Sequence, residues 1–222
     1  MLESHACADR LRPRWQALLP CLAIVALAAC HPHGAEQDAG QNERGLAKLN
    51  PTPRQAHELV LKIADAPGPF AVVEGSAQYD VINEQECGRI VPATGRAGRI
   101  TSRESVQLQK VGDNEFRGTV YLDLMQDEDY YDRGVCQWKF SGAGVLLKAT
   151  GADAETRFLS FIEADRFVKG DTESQHYAHL GYPRDAMDNY ADYGEDAPEG
   201  FKPELRGSLF SVTLVSPQPP SH

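Results

Sequence analysis

Two histidines in His176-x-x-His179 have the spacing that lets imidazoles on one helical face share a metal ion, with Asp171 or Glu173 close enough in sequence to supply a third ligand. No glutamate follows the first histidine as in the His-Glu-x-x-His frame of zinc hydrolases, so nothing there places a general base, and the pair is read as loop histidines. Asp185, Asp188, Asp192, Glu195 and Asp196 offer oxygen ligands for calcium. An EF-hand numbered from Asp188, however, puts Tyr190 at position 3 and Tyr193 at position 6, where an acid and a glycine belong. No metal and no cofactor are assigned, an irregular calcium site being left open. A Gly-x-Ser-x-Gly frame is absent, and Ser76, Ser105 and Ser160 fall in strand-like runs. Paired glycosidase carboxylates are set by fold and not by spacing. No catalytic residue is named, and the chain is expected not to be an enzyme.

Two clusters carry a different chemistry. Asp127, Glu128, Asp129, Tyr130, Tyr131 and Asp132 form one run, and Tyr190, Asp192 and Tyr193 form the centre of a second within the acidic segment 169–207. Tyrosine supplies contact area at low entropic cost, while surrounding carboxylates steer a basic partner, so these residues are the expected protein-binding positions. The whole chain agrees in sign: 32 acids against 22 bases give a net charge of -10. Nucleic acid is excluded as a partner, because its binding rests on neutralising phosphates with Lys and Arg.

The elements that must hold these loops are mostly strands. Thr52-Pro53-Arg54-Gln55 reads as a helix start, and Ala56, Leu59, Val60 and Ile63 follow at i, i+3, i+4, i+7, so one amphipathic helix is expected before the sheet. Residues 70–73 and 78–82 are strand-like with a break at Gly75, and 100–111 leads through Gly112-Asp113-Asn114 into a hairpin partner carrying Phe116, Gly118 and Val120 on one face. Cys136, Trp138 and Phe140 alternate, Ser141-Gly142-Ala143-Gly144 is read as a turn, and 145–149 returns. Residues 156–162 suggest a central strand, 169–207 a long acidic loop, and 209–215 a closing strand. The expected fold class is α+β, mostly β: an antiparallel sheet or partly closed barrel of about six to eight strands.

The N-terminus has its own signature. Arg10, Arg12 and Arg14 precede an apolar run from Ala17 to Ala29 that is too short to span a bilayer, the pattern of an export signal. At its end, Leu27-Ala28-Ala29-Cys30 resembles the lipobox of bacterial lipoproteins, which implies cleavage before Cys30 and acylation of that cysteine, palmitate included. His31 stands where inner-membrane lipoproteins carry aspartate, so the resemblance implies an outer-membrane anchor facing the periplasm. The expected organisation is signal peptide 1–29, flexible tether 30–50, one β-rich domain 51–216 and a tail 217–222. Removing 29 residues from 222 leaves 193, and the net charge falls to about -11 because the leader's three Arg exceed Glu3 and Asp9 by one. A tether of some 20 residues reaches about 25 Å when flexible. Cys87 and Cys136 are then the two remaining cysteines. In an oxidising periplasm they are read as a disulfide closing a loop of about 50 residues, worth roughly 4 kcal/mol, with a thiol nucleophile or metal pair as the competing reading.

In organisation the chain resembles the immunity lipoproteins that bacteria pair with antibacterial secretion-system effectors, and more distantly the lysozyme-inhibitor lipoproteins. That resemblance implies inhibition by occlusion of a basic toxin or cell-wall hydrolase. The competing readings are an accessory or structural lipoprotein of an envelope or secretion machine, and a cell-wall hydrolase.

Overall fold

The structure, a computed structural model, describes residues 46–218. The leader, Cys30, the tether up to residue 45 and the last four residues lie outside the described part. In chain order the elements are β1 (Ala56–Ala64), β2 (Val72–Val81), helix α1 (Glu84–Cys87), β3 (Ile90–Val91), β4 (Arg96–Ala97), β5 (Thr101–Val106), β6 (Gln109–Lys110), β7 (Glu115–Tyr121), β8 (Trp138–Lys148), β9 (Arg157–Glu163), helix α2 (Ala164–Lys169), β10 (Thr172–Ala178), β11 (Ala191–Asp192) and β12 (Leu209–Val215). Two open five-stranded sheets result, ordered β10-β12-β1-β7-β6 and β11-β9-β8-β2-β5, with β3 and β4 as a separate ribbon. All pairings are antiparallel except β11 with β9. The mostly β, antiparallel class expected from the sequence is what the chain adopts.

One apolar core draws on both sheets: Leu59, Leu61 and Ile63 from β1 and Phe210, Val212 and Leu214 from β12 meet Ala77 and Tyr79 from β2, Val145 and Leu147 from β8, and Phe158 and Ile162 from β9. Buried tyrosines tie the sheets reciprocally. Tyr79 of the second sheet donates its hydroxyl to the Tyr121 carbonyl of the first at 2.6 Å, and Tyr177 of the first donates to the Leu159 carbonyl of the second at 2.7 Å. Burial, with nearby carboxylate charge added, raises both phenols well above their ordinary pKa, which keeps each in its donor form. Phe167 of α2 is fully buried and reaches His57 on β1 and Phe140 on β8, with ring centroids 6.0 and 5.3 Å away.

Four sequence expectations are corrected. The expected N-terminal helix is instead the central strand β1, paired on both sides. A helix would have left Leu61 outside its apolar stripe, whereas a period of two gathers Leu59, Leu61 and Ile63 on one face. The backbone N–H groups of Arg54 and Gln55, which a capping box would have involved, are bound by the Asp123 carboxylate at 2.9 to 3.1 Å. Second, Ser141-Gly142-Ala143-Gly144 is no turn but lies inside the eleven-residue β8, where the register shifts once against β2. Third, β2 runs unbroken through Gly75, while the break falls at Gln107-Leu108, where the chain passes from the second sheet to the first. Gly75 and Gly118 allow that corner: a Cβ on either would come within 2.8 Å of the Val106 or Gln107 carbonyl. Fourth, the segment 169–207 is not one long loop, since it contains β10, seven residues paired along β12. The tether also ends earlier than residue 50, because Leu49 bridges Met125 and Asn50 donates its N–H to the Leu124 carbonyl.

Candidate partner-binding loops

The first acidic cluster lies in the connection from β7 to β8, and the chain fixes that connection from four sides. The disulfide Cys87–Cys136, with Cα atoms 5.2 Å apart, bolts it to α1. Arg133 donates to the carbonyls of Gly88 and Gln85, and Asn83 both donates to the Val135 carbonyl and accepts from the Gln137 N–H. Lys48, on the incoming chain, pairs with Glu128 at 2.6 Å. Beneath the loop, Val81, Cys87 and Cys136 form a small second core against which Ile100, Tyr130, Tyr131 and Trp138 pack.

Within the loop the carboxylates divide by role. Asp129 accepts from the backbone N–H groups of Arg133, Gly134 and Tyr131, and the first of these bonds is the leading reason its carboxyl sits below the usual range. Asp127 accepts from the Trp138 N–H at 2.8 Å. Both therefore shape the loop. Asp132 occupies the left-handed region at φ 55, which aspartate tolerates better than most residues, and its side chain is exposed. Tyr130 donates to the Gln126 carbonyl and, like Tyr131, is half-buried. Beside this loop a hollow of about 720 Å³ is floored by Met125, Trp138, Phe140 and Val168, with Asp127 and Asp165 on its border.

The second cluster stands elsewhere. Ala191 and Asp192 pair with Arg157 and Phe158, and Phe158 in turn pairs with Leu147 near the far end of β8. Eleven residues of extended chain separate Cys136 from Leu147, so the two clusters are on the order of 30 Å apart and do not form one surface. Asp192 is half-buried and held above the usual carboxylate range by desolvation, although Gly194 N–H donates to it, and the charges of Asp185 and Glu195 push the same way. Tyr190 and Tyr193 are 39% and 69% exposed.

His176 lies on β10 and His179 in a 3-10 turn, not on a shared helical face. Their ring nitrogens meet the backbone carbonyls of Glu195 and Asp65. Among the described residues no group of three or more His, Cys, Asp or Glu side chains gathers to hold a metal ion, and no helix is long and apolar enough to cross a membrane. Arg133, Asn83 and Lys48 carried no local signal for their part in the loop: each acts on residues 45 to 80 positions away. Compared with known protein families, with characterised proteins and with solved structures, the chain matches none.

Proposed function

We propose that this chain is a lipid-anchored, periplasm-facing binding protein of the outer membrane, an immunity protein that inhibits a basic antibacterial toxin or cell-wall hydrolase by occluding it. The lipobox-like Leu27-Ala28-Ala29-Cys30 and the charge of -10 support the anchor and the sign of the partner. The observation that carries the reading is the loop 126–135: a tyrosine-bearing acidic loop held by a disulfide and by Arg133 and Asn83, next to an apolar hollow. A loop ordered before binding loses little entropy on docking, and an apolar hollow with a polar border is where interface anchors seat. The second cluster, with Tyr190, Asp192 and Tyr193, belongs to a different end of the sheet, so the first loop is the one assigned to the partner.

The test uses the full chain purified with its anchor. It is incubated with the basic wall-degrading proteins of its own organism, beginning with any encoded by the adjacent gene, and residual wall lysis is measured. A stoichiometric complex with loss of lytic activity supports the reading. Persisting lysis, or capture of envelope-machine components alone, overturns it in favour of an accessory lipoprotein. Asp132→Asn removes loop charge while sparing the bonds that shape the loop. Association is expected to slow and its salt dependence to flatten, with dissociation little changed.

A further inference from the structure

The outer face of the second sheet carries a groove of about 990 Å³, at the upper end of the size of small-molecule sites. Its floor is built from short side chains in register. Ser105 stands opposite Ser76, Ser76 opposite Gly144, and Gly144 opposite Phe161, so two hydroxyls and a bare backbone lead across four strands to one aromatic ring. The next row runs Arg103, Gln78, Gly142, Glu163. The Phe161 ring spans the two glycines: a Cβ on Gly142 would lie 2.4 Å from its Cζ, and one on Gly144 would lie 3.0 Å from its Cδ2. One ring face is thereby held against β8 while the side chain remains 36% exposed. Tyr193, the most exposed tyrosine here at 69%, and Gln175 complete the same wall.

Three properties define what this face would take. The Ser76 and Ser105 hydroxyls have no hydrogen-bond partner among the described residues, so they are available to a ligand. Around the groove the outward-facing carboxylates Glu74 and Glu163 stand with Arg103, while Arg99 is already paired with Asp80 at 2.8 Å. That surplus of carboxylates at the rim disfavours an anionic ligand, and the Ser76 and Ser105 floor between them is uncharged. Of the four strands under it, β2 and β8 are interior with both edges paired, whereas β5 is the edge of the sheet, so an extended peptide is the rival that the test must include.

We propose that this face binds a neutral oligosaccharide, with pyranose rings laid on Phe161 and Tyr193 and their hydroxyls bonded to Ser76 and Ser105. A sugar ring combines apolar C–H faces with a rim of uncharged donors and acceptors, and this groove offers aromatic surface and uncharged hydrogen-bonding groups in the same order. The inference stands apart from the inhibitor proposal, since it uses a different surface and needs no toxin.

The experiment titrates the full chain, kept in a detergent without a sugar headgroup, with tetra-N-acetylchitotetraose, cellotetraose and tetra-alanine, by calorimetry and saturation-transfer NMR. Saturable binding of at least one sugar is expected, weakened about tenfold or more by Tyr193→Ala and several-fold by Ser76→Ala with Ser105→Ala. Tyr193 is the primary variant because its exposed side chain leaves the core untouched, whereas Phe161→Ala uncovers the β8 glycines and would confound folding with binding. Failure of both sugars at millimolar concentration overturns the proposal. So does sugar binding that these variants leave unchanged, or binding of tetra-alanine alone.

Discussion

Asp80 couples the stability of the fold to pH. Burial alone would raise its carboxyl, but hydrogen bonds from Arg99, Ser141, Gln78 and Thr101 outweigh it and hold the group at about 2, against an ordinary 3.8. Because the folded value lies below the unfolded one, the stabilisation is complete above about pH 4 and is lost as pH falls toward 2. Asp80→Asn is therefore expected to lower stability near neutrality by on the order of 1 kcal/mol after solvent screening, and to flatten the acid limb between pH 4 and 2. Denaturant midpoints taken across that range check it; an unchanged acid limb would remove Asp80 from the account. Tyr177→Phe deletes a buried donor and leaves the Leu159 carbonyl unmet, a loss of about 1 to 2 kcal/mol. The midpoint of chemical unfolding reads it directly.

At the scale of elements, β8 and the loop before it carry most of the design. Gly142→Ala would set a methyl group 2.5 Å from the Ile162 carbonyl as well as against Phe161, at φ 155. Removing the ring in a Gly142→Ala, Phe161→Ala double variant should not restore stability, because the backbone clash persists. Gly142→Ala is expected to cost about 1 to 3 kcal/mol, and thermal unfolding of both variants checks the pair. In the loop, Asp129→Ala removes one acceptor from three backbone N–H groups. Amide exchange at Arg133 and Gly134 should accelerate while that of β1 and β12 stays slow; equal acceleration everywhere would mean that Asp129 supports the whole fold and not the loop.

For the whole molecule, the disulfide spans 49 positions and ties the β7–β8 loop to α1 within the small second core. Cys87→Ser with Cys136→Ser is expected to lower unfolding free energy by about 4 kcal/mol on the chain-entropy account. Because the main core of both sheets holds none of these atoms, the variant should keep its β signature in circular dichroism while the loop 126–135 loses order. If the inhibitor proposal holds, partner affinity falls with it, since the entropy of ordering the loop is then lost at binding.

Which features the sequence by itself determined follows from how local their causes are. The Gly112-Asp113-Asn114 turn, the alternation in β7, the closing strand 209–215 and the Cys87–Cys136 pair were legible because each rests on neighbouring residues or on simple counting. The acidic tyrosine loop was legible as composition, but not which of its carboxylates are consumed by its own backbone. Only the tertiary structure decided that residues 56–64 form a strand, since Ala56, Leu59, Val60 and Ile63 meet the helical period and Leu59, Leu61 and Ile63 the strand period until β7 and β12 supply hydrogen-bonding partners on either side. The same holds for Gly142 and Gly144, turn residues by local propensity but strand residues once Phe161 from β9 fills the space that their missing side chains leave. Propensity is weak beside the burial and pairing that distant segments provide, and those partners are set by the path of the chain and not by its local spelling.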